Sequence, residues 1–504
     1  MRRALVLFAV CALLAVTCGC SARSEPGQSS DVPSSVPVPD SGKVDALQSF
    51  SLAFCREDTL DPYAAKTEVN LQLATLLYDS LTVIDDGFMP QLSLAAAVNA
   101  TDATHLEVTL RDGAMFSDGS AVTADDVAGS FRLARESANT RAAVANIVSA
   151  ETNKKRPGVI VFTLSSPDPN AAACLSFPIV KIAGRATEAA KASVGGGLYC
   201  LHDSGSGYAL TANPKAKTRP RWETVGLRDL PNASSMYYGL ASGAITYYYN
   251  DLSSGELPRT TGASAAVEMN ALVFLGVNGH RTGLNDPAVR RALSLLIDRR
   301  TLVSAAGAGW ARPATMPFHP RWRTAAEVTG LSESRDLTAA LTALGEAGYG
   351  TGKGQKKLKL ELIYCSDTAS RAAPAEALRS ALEGAGLQIT VTPLGFDEYR
   401  QRLSAGRFDL YLGEIRLTAS MDLSPLLGSS GAASFGISAD GAAAAAYRSY
   451  RAGETDTAGF TAAFCQDLPY IPLYWRCAYA GYDRRLSVVT PHGYNAFYGF
   501  GEWR

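Results

Sequence analysis

Apolar runs and helical patterns alternate from residue 358 to residue 415. Runs typical of buried strands occupy 358–365, 387–394 and 408–415, and apolar residues recur at helical spacing in 373–386 and 397–406. This β-α-β-α-β order predicts a largely parallel sheet that helices cover on both faces. Ligands of such sheets bind beyond the carboxyl ends of the strands, because loops and helix N-termini meet there.

The earlier part of the chain has a mixed pattern. LEVTL at 106–110 and VIVFTL at 159–164 predict strands, and TADDVAGSFRLAR between them predicts a helix. Thr123 is the expected N-cap of this helix, with Asp126 as the acidic partner of a capping box.

A long helix that begins after Asp286 is predicted at 285–309, from the sequence NDPAVRRALSLLIDRRTLVSAAGAG. Its apolar stripe leaves four arginines on a face expected to contact solvent: Arg290, Arg291, Arg299 and Arg300.

The N-terminus has the layout of an export signal. Two arginines precede an uncharged apolar run from Ala4 to Val16, and small residues surround Cys18 and Cys20. The run is short for a spanning helix, so we expect no transmembrane domain after processing. The end of the run resembles a bacterial lipoprotein signal, which implies residues 1–19 as signal peptide and lipidation of Cys20, with Cys18 as the alternative.

The segment after Cys20 is rich in Ser, Pro and Gly, and residues 20–45 are expected to form a tether.

Without residues 1–19 the chain has 45 basic and 48 acidic residues. This near-neutral balance argues against a nucleic-acid partner, which requires a basic face. About 460 residues follow the tether, which predicts two or three domains. The pairing of the six later cysteines stays open.

No catalytic motif stands out. The five histidines are scattered, and the chain has no P-loop, nucleophile elbow or dinucleotide fingerprint, so we expect a protein that is not an enzyme and holds no cofactor or metal.

The aromatic residues are more informative than the histidines, because several of them are candidates for the lining of a binding cleft. ITYYYNDL at 245–252 would place Tyr247 and Tyr249 on one face of a strand. Trp310 follows the predicted long helix in a Gly/Pro-rich loop, and all three aromatic residues are candidates for either cleft or core.

Several ordered motifs together resemble family 5 extracellular solute-binding proteins, the peptide and nickel receptors of ABC importers. LEVTLRDGAMFSDGSAVTADDVAGSF is the most specific, and GGGLYCL, LASGAI, LGEAGY, LSAGRFDLYLGE and DLPYIPLYWR follow in order. The resemblance implies an α/β type II periplasmic-binding-protein fold with two lobes and the extra domain of the peptide-binding branch. The implied division is lobe I from 46–85, 192–272 and 481–504, extra domain II from 86–191, and lobe III from 273–480.

The resemblance also implies a function and a site. We expect a monomeric lipoprotein, exported to the outer face of the cytoplasmic membrane or the periplasm, that captures oligopeptides or related solutes for an ABC permease. A non-transport receptor of the same fold and, less favoured, a surface hydrolase are the alternatives. The loop GEIRLTASMDLSP supplies Glu414, Arg416 and Asp422 as candidate ligand contacts. If Asp422 holds the later acidic position of the family pattern, Ala419 stands where peptide receptors place the aspartate that holds the ligand's α-amino group.

Overall fold

The computed structural model describes residues 47–185, 191–205, 207–255, 258–307 and 309–504. The predicted signal peptide, the tether and Cys20 lie outside the described residues. Across the described ranges, no helix is long and apolar enough to cross a membrane.

The strands, in chain order, are β1 (Phe50–Phe54), β2 (Thr82–Ile84), β3 (Pro90–Leu92), β4 (Ala95–Ala100), β5 (His105–Leu110), β6 (Ile147–Thr152), β7 (Val159–Leu164), β8 (Tyr199–Asp203), β9 (Tyr208–Ala212), β10 (Thr224–Asp229), β11 (Tyr247–Asn250), β12 (Ala263–Val277), β13 (Ala311–Pro313), β14 (Lys359–Cys365), β15 (Gln388–Leu394), β16 (Leu410–Arg416) and β17 (Tyr470–Tyr482).

The α-helices are α1 (Glu68–Leu77), α2 (Ala124–Glu136), α3 (Ala233–Ala241), α4 (Pro287–Leu295), α5 (Arg299–Gly307), α6 (Leu337–Glu346), α7 (Ala372–Glu383), α8 (Phe396–Ser404), α9 (Ser424–Leu427), α10 (Ala442–Arg451) and α11 (Thr457–Asp467). Short 3-10 helices cover Ala171–Leu175, Arg323–Ala325, Ala369–Arg371 and Phe500–Glu502.

One large sheet organises most of the body. Its strand order is β15-β14-β16-β12-β17-β11-β1-β10-β9-β8, and β13 pairs with β17 beside this path. The two central strands, β12 and β17, are antiparallel and unusually long, at 15 and 13 residues. Their pairing is irregular between Glu268 and Leu272, where the register shifts. They therefore run from one half of the sheet into the other and connect the two halves.

Separate hydrophobic cores lie along this sheet. One core packs α1 against β1, β10 and β11 together with the C-terminal aromatic residues Phe497, Phe500 and Trp503. Two further cores lie around β14 to β16 and the helices from α4 to α11. A fourth core belongs to the separate sheet β4-β5-β7-β6 and to α2. The burial of each core against its own sheet supplies the apolar stabilisation of that part of the chain.

The predicted β-α-β-α-β unit is confirmed. β14 pairs in parallel with both β15 and β16, and α7 and α8 are the connecting helices. The predicted capping box is also confirmed, because the Thr123 side chain accepts from the Asp126 N–H at 3.2 Å and the Asp126 carboxylate accepts from the Thr123 N–H at 3.1 Å. Local signals were therefore sufficient for these elements.

The single long helix predicted at 285–309 is wrong. α4 ends at Leu295 and α5 begins at Arg299, because the Asp298 carboxylate accepts from the Thr301 N–H at 2.7 Å and starts a new helix. The expected solvent contact is also wrong for two of its arginines. Arg290 and Arg299 are 6% and 1% exposed, and they donate to backbone carbonyls of distant segments. Burial lowers the pKa of Arg299 to about 10.

Candidate functional site

Six ionisable side chains from five segments come together where the two halves of the large sheet meet. Strand β16 supplies Glu414 and Arg416 near its carboxyl end, and β17 supplies Arg476. Asp251 directly follows β11, Glu68 is the first residue of α1, and Arg371 immediately precedes α7. We call this group the charge cluster; its members are Glu68, Asp251, Arg371, Glu414, Arg416 and Arg476.

Glu414 lies between two arginines of the charge cluster. Its Oε1 is 2.7 Å from Nη1 of Arg476, and its Oε2 accepts from Nη2 of Arg371. All three side chains are largely buried, at 20% exposure for Glu414, 17% for Arg476 and 13% for Arg371. Arg476 also donates to the backbone carbonyl of Asp251. Both carboxylate oxygens of Glu414 are therefore engaged, and this part of the cluster keeps a positive excess.

Glu68 and Asp251 form the acidic side of the charge cluster. The Asp251 N–H donates to Oε1 of Glu68 at 3.2 Å, and Oδ2 of Asp251 lies 3.9 Å from Nη1 of Arg416. Burial and, to a smaller extent, the nearby Asp251 together raise the pKa of Glu68 to about 8, while Arg416 acts in the opposite direction. Arg416 is half-exposed and donates to the Gly493 carbonyl at 3.3 Å.

A small cavity of about 30 Å³ adjoins the basic side of the charge cluster. Its walls include Arg371, Arg476, Trp310 and Tyr474. Nη1 of Arg371 is buried and has no hydrogen-bond partner among the described residues. A buried guanidinium nitrogen without a partner is costly, so this nitrogen is available to an anionic group that enters from the cavity.

A larger cavity of about 480 Å³ follows the exposed side of α1, and we call it the α1 cavity. Its walls include Leu71, Gln72 and Thr75 from α1, Asn139 from the segment after α2, and Tyr494 near the C-terminus. Gln72 and Thr75 stand four and seven residues after Glu68, so they share its face of the helix. A cavity of this volume with a few polar groups on apolar walls has the character of a small-molecule site.

The three predicted aromatic residues occupy different settings. Tyr247 is fully buried, and its hydroxyl donates to the Ala496 carbonyl at 2.7 Å. Tyr249 lies on the same strand face at 6% exposure, and burial raises its pKa. Trp310 is half-buried, lies on the wall of the small cavity and packs against Tyr479 with ring centroids 5.3 Å apart. Trp310 therefore lies next to the charge cluster. Tyr247 packs in the hydrophobic core formed by α1, β1, β10 and β11.

Asp422 lies apart from the charge cluster, in a tight network of its own. Its Oδ1 accepts from Nη1 of Arg451 and from the Tyr447 hydroxyl, both at 2.8 Å. Arg451 also lies 3.4 Å from Asp168, whose side chain is only 2% exposed. Burial raises the pKa of Asp168 to about 6. Asp422 therefore links the loop after β16 to the segment that follows β7.

Sequence reasoning missed Glu68, Asp251, Arg371 and Arg476 as members of the cluster. They stand on four segments far apart in the chain, and only the fold of the sheet brings them together. One signal was available, because Asp251 directly follows the tyrosine-rich strand that was already a candidate.

The described residues show neither a cluster of potential metal ligands nor a disulfide. They contain no group of three or more His, Cys, Asp or Glu side chains that could hold a metal ion. The cysteines at 55, 174, 200, 365, 465 and 477 are free thiols.

Comparisons with known proteins agree with this architecture. The sequence profile of bacterial extracellular solute-binding proteins, family 5 Middle, matches residues 89–433. Protein XP55 of Streptomyces lividans is 28% identical over 405 residues, which is 74% of this chain and 72% of that protein.

Two solved structures are similar along most of their length. The murein tripeptide-binding protein MppA, in its unliganded open form, gives a TM-score of 0.75 at 19% identity and covers 88% of this chain and 95% of its own. A nickel ABC transporter protein of Bacillus halodurans gives a TM-score of 0.73 at 20% identity, with 88% and 98% covered. At sequence identities of 19% and 20%, the structural similarity shows a shared fold alone.

Proposed function

Because this chain belongs to the bacterial extracellular solute-binding proteins of family 5, we propose that it is a lipid-anchored receptor that captures oligopeptides or related small solutes for an ABC importer. Its fold is the type II periplasmic-binding-protein fold. Proteins of this family bind peptides, nickel or other small solutes, are extracellular or periplasmic, and work with ABC permeases. For this chain, both the identity of the solute and the attachment to a lipid are proposals.

The proposed lobes follow the division of the sheet. Lobe I comprises 46–85, 192–272 and 481–504, and lobe III comprises 273–480, with domain II at 86–191. Under this division β12 and β17 are the connecting segments, and the irregular pairing near Glu268 supports a hinge there. A hinge in two long strands allows the lobes to close over a ligand without repacking either core.

The charge cluster is the observation that carries the proposal. It joins an acidic side, Glu68 and Asp251, to a basic side, Arg371 and Arg476, with Arg416 half-exposed between them. A zwitterionic solute complements such a pair of sides, because its ammonium meets the carboxylates and its carboxylate meets the guanidinium groups. Since Glu414 is held by two arginines, we propose that it orients them for the ligand.

The remaining candidate residues have distinct proposed roles. Trp310 supplies apolar surface beside the charges, Tyr249 lies next to the charged groups of the cluster, and Tyr247 packs in the core behind them. Ala419 is 8% exposed and packs in the lobe III core, which supports an anchoring role for Glu68 and Asp251 in place of the usual aspartate. Asp422 shapes the loop through Arg451.

Capture and delivery require no chemistry by the receptor. Closure buries the solute between the lobes, and a permease distinguishes the closed form from the open one. A ligand that binds only the folded protein also raises its thermal stability by mass action.

Native mass spectrometry of the purified protein, followed by identification of any released solute, tests the proposal. We expect a co-purified species with both an ammonium and a carboxylate group. A solute that lacks both, or one whose affinity is unchanged when Asp251→Asn and Arg371→Gln are introduced singly, would remove the support that the charge cluster gives.

A further inference from the structure

A strongly basic surface lies at the opposite end of lobe I from the charge cluster. It consists of three segments, 214–223, 483–487 and 500–504, which we call the basic edge. The three segments contain seven basic and three acidic side chains, although the chain as a whole carries a formal net charge of −1. The basic side chains are all exposed; they are Lys215, Lys217, Arg219, Arg221, Arg484, Arg485 and Arg504.

The topology of the sheet brings these segments together. Strands β1 and β10 are parallel and in register from Phe50 opposite Val225, so the segment before β10 lies beside the start of β1. β11 begins and β17 ends at the same edge, where Tyr247 pairs with Tyr482. Segment 483–487 follows β17 directly, and the Arg221 N–H donates to the Gly501 carbonyl at 3.1 Å.

Aromatic packing fixes the basic edge to the lobe. Phe50 contacts the rings of both Trp222 and Phe500, with centroids 5.3 Å and 5.0 Å apart. The Arg221 guanidinium lies 5.2 Å from the Trp222 ring. The charges are therefore presented by a supported surface, which lowers the entropic cost of using them in recognition.

Part of this charge is not neutralised within the lobe. Arg219 pairs with Glu223 and Arg485 pairs with Asp483, each at 2.6 Å. Lys215, Lys217 and Arg484 make no ion pair within the described parts of the chain. These three cations are therefore the part of the basic edge that can bind an anionic partner.

The chain enters the described body at the same place. Leu47 to Ser49 lead directly into β1, whose first residue, Phe50, lies beside the basic edge. Only 26 residues lie between Cys20 and Leu47. A lipid on Cys20 would keep this edge within about 90 Å of the bilayer even at full extension. Tethering at such distances makes a weak second contact effective, because it acts at high local concentration.

From these observations we propose that the basic edge docks on the anionic phospholipid surface into which Cys20 is anchored. This inference rests on the lipid anchor of the proposed function and adds a second membrane contact to it. Basic residues near an anionic bilayer surface each add about 1 kcal/mol of attraction, so they hold the body of an anchored protein against that surface. Asp251 follows the carboxyl end of β11 and the basic edge lies at its amino end, so docking turns the charge cluster away from the bilayer.

The test uses the mature chain from residue 20 with Cys20→Ser, which removes the acyl group. Co-sedimentation is measured with vesicles of phosphatidylcholine alone and with vesicles that contain 30% phosphatidylglycerol, at 50 mM and 500 mM salt. We expect binding only to the anionic vesicles and only at low salt. The triple variant Lys215→Gln, Lys217→Gln, Arg484→Gln should bind about a hundredfold more weakly, since each basic residue near such a surface contributes roughly fivefold.

A matched control removes three exposed cations elsewhere, with Lys154→Gln, Lys155→Gln and Lys353→Gln. It should keep wild-type binding. Equal binding to neutral vesicles, no binding by the wild type at 50 mM salt, or an equal loss in the control would overturn the proposal. Retention on a glycerol-phosphate polymer without retention on vesicles would identify a wall polymer as the partner and overturn the lipid assignment.

The outcome is separable from that of the proposed function. Solute binding is measured on the same variants as the shift of the unfolding temperature by a peptide pool. Loss of vesicle binding with an unchanged peptide effect concerns the basic edge alone, whereas absence of any peptide effect in the wild type concerns the proposed function alone.

Discussion

Arg476 and Glu414 form an ion pair at 2.7 Å although their strands are not neighbours in the sheet. β17 and β16 both pair with β12, which lies between them. The pair therefore spans a strand that connects the two halves of the sheet. Because Arg371 meets the other oxygen of the same carboxylate, one glutamate joins β16 and β17 to the segment before α7.

Removal of the Glu414 charge should destabilise the protein. In Glu414→Gln two largely buried guanidinium groups lose their shared anion, and we expect the free energy of unfolding to fall by about 3 kcal/mol. Urea denaturation followed by circular dichroism measures this change. Glu376→Gln is the matched control, because its pair with Arg379 is exposed to solvent and should contribute little to stability. Equal losses in the two variants would contradict this account of Glu414.

Glu68 should make stability depend on pH. Its pKa of about 8 lies above that of an unfolded chain, near 4.3, so between these values the folded protein holds a proton that the unfolded chain has released. The stabilisation is therefore complete below about pH 4 and is lost as the pH rises through 8. Relative to wild type, Glu68→Gln should gain about 4 kcal/mol of stability from pH 5 to pH 9, because the folded protein holds the proton over about three pH units and each unit corresponds to about 1.4 kcal/mol.

Urea titrations at pH 5, 7 and 9 measure this difference. The exposed Glu57→Gln serves as the control and should show no such trend. If the difference between Glu68→Gln and wild type stays constant over this range, Glu68 does not hold its proton in the folded state.

The same proton predicts a calorimetric signature. A ligand ammonium next to Glu68 favours its ionised form, so binding at pH 7 should release about one proton. Titration calorimetry in phosphate and in Tris buffer reports this release as a difference in apparent binding enthalpy. Binding without proton release would place the ammonium elsewhere.

Tyr247 and Tyr249 should separate stability from binding. Tyr247→Phe removes the hydrogen bond to the buried Ala496 carbonyl, so we expect a loss of about 1 to 2 kcal/mol in unfolding free energy and unchanged solute affinity. Tyr249→Phe should instead weaken solute binding at nearly unchanged stability. Weaker solute binding by Tyr247→Phe together with a loss of stability in Tyr249→Phe would contradict this assignment.

Arg451 should secure the loop that contains Asp422. Arg451→Met leaves Asp168 and Asp422 without their shared cation, and we expect the unfolding free energy to fall by about 3 kcal/mol. Hydrogen exchange should increase in segments 165–176 and 418–424. Arg448→Met on the exposed side of the same helix is the control. A fall in solute affinity without a fall in stability would instead favour direct ligand contact by Asp422.

Sequence patterns predicted the elements whose signals are local. The capped helix at Thr123 and the strand-helix alternation from 358 to 415 depend on short-range periodicity, and both form as expected. The break at Asp298 was missed because its side chain caps a helix inside a continuous apolar stripe. The burial of Arg299 was missed because its carbonyl partners come from residues 314, 332 and 472.

The candidate site shows the same limit. Glu414 and Arg416 were identified because they lie at the end of a predicted strand, but their ion-pair partners Arg476 and Asp251 stand on distant segments of the chain. Only the order of strands in the sheet places Glu68, Asp251, Arg371 and Arg476 beside them. Long-range pairing of this kind leaves no periodic signal in one sequence.

The most direct test of solute capture is thermal unfolding of the purified protein with a pool of tri- to pentapeptides that have free termini. We predict that a pool at 1 mM raises the unfolding temperature by several degrees, since occupancy far above Kd contributes about 3 to 4 kcal/mol. The same pool with acetylated and amidated termini should have no effect. No shift with free peptides, an equal shift with blocked peptides, or hydrolysis of the pool would contradict capture of a zwitterionic solute by the charge cluster.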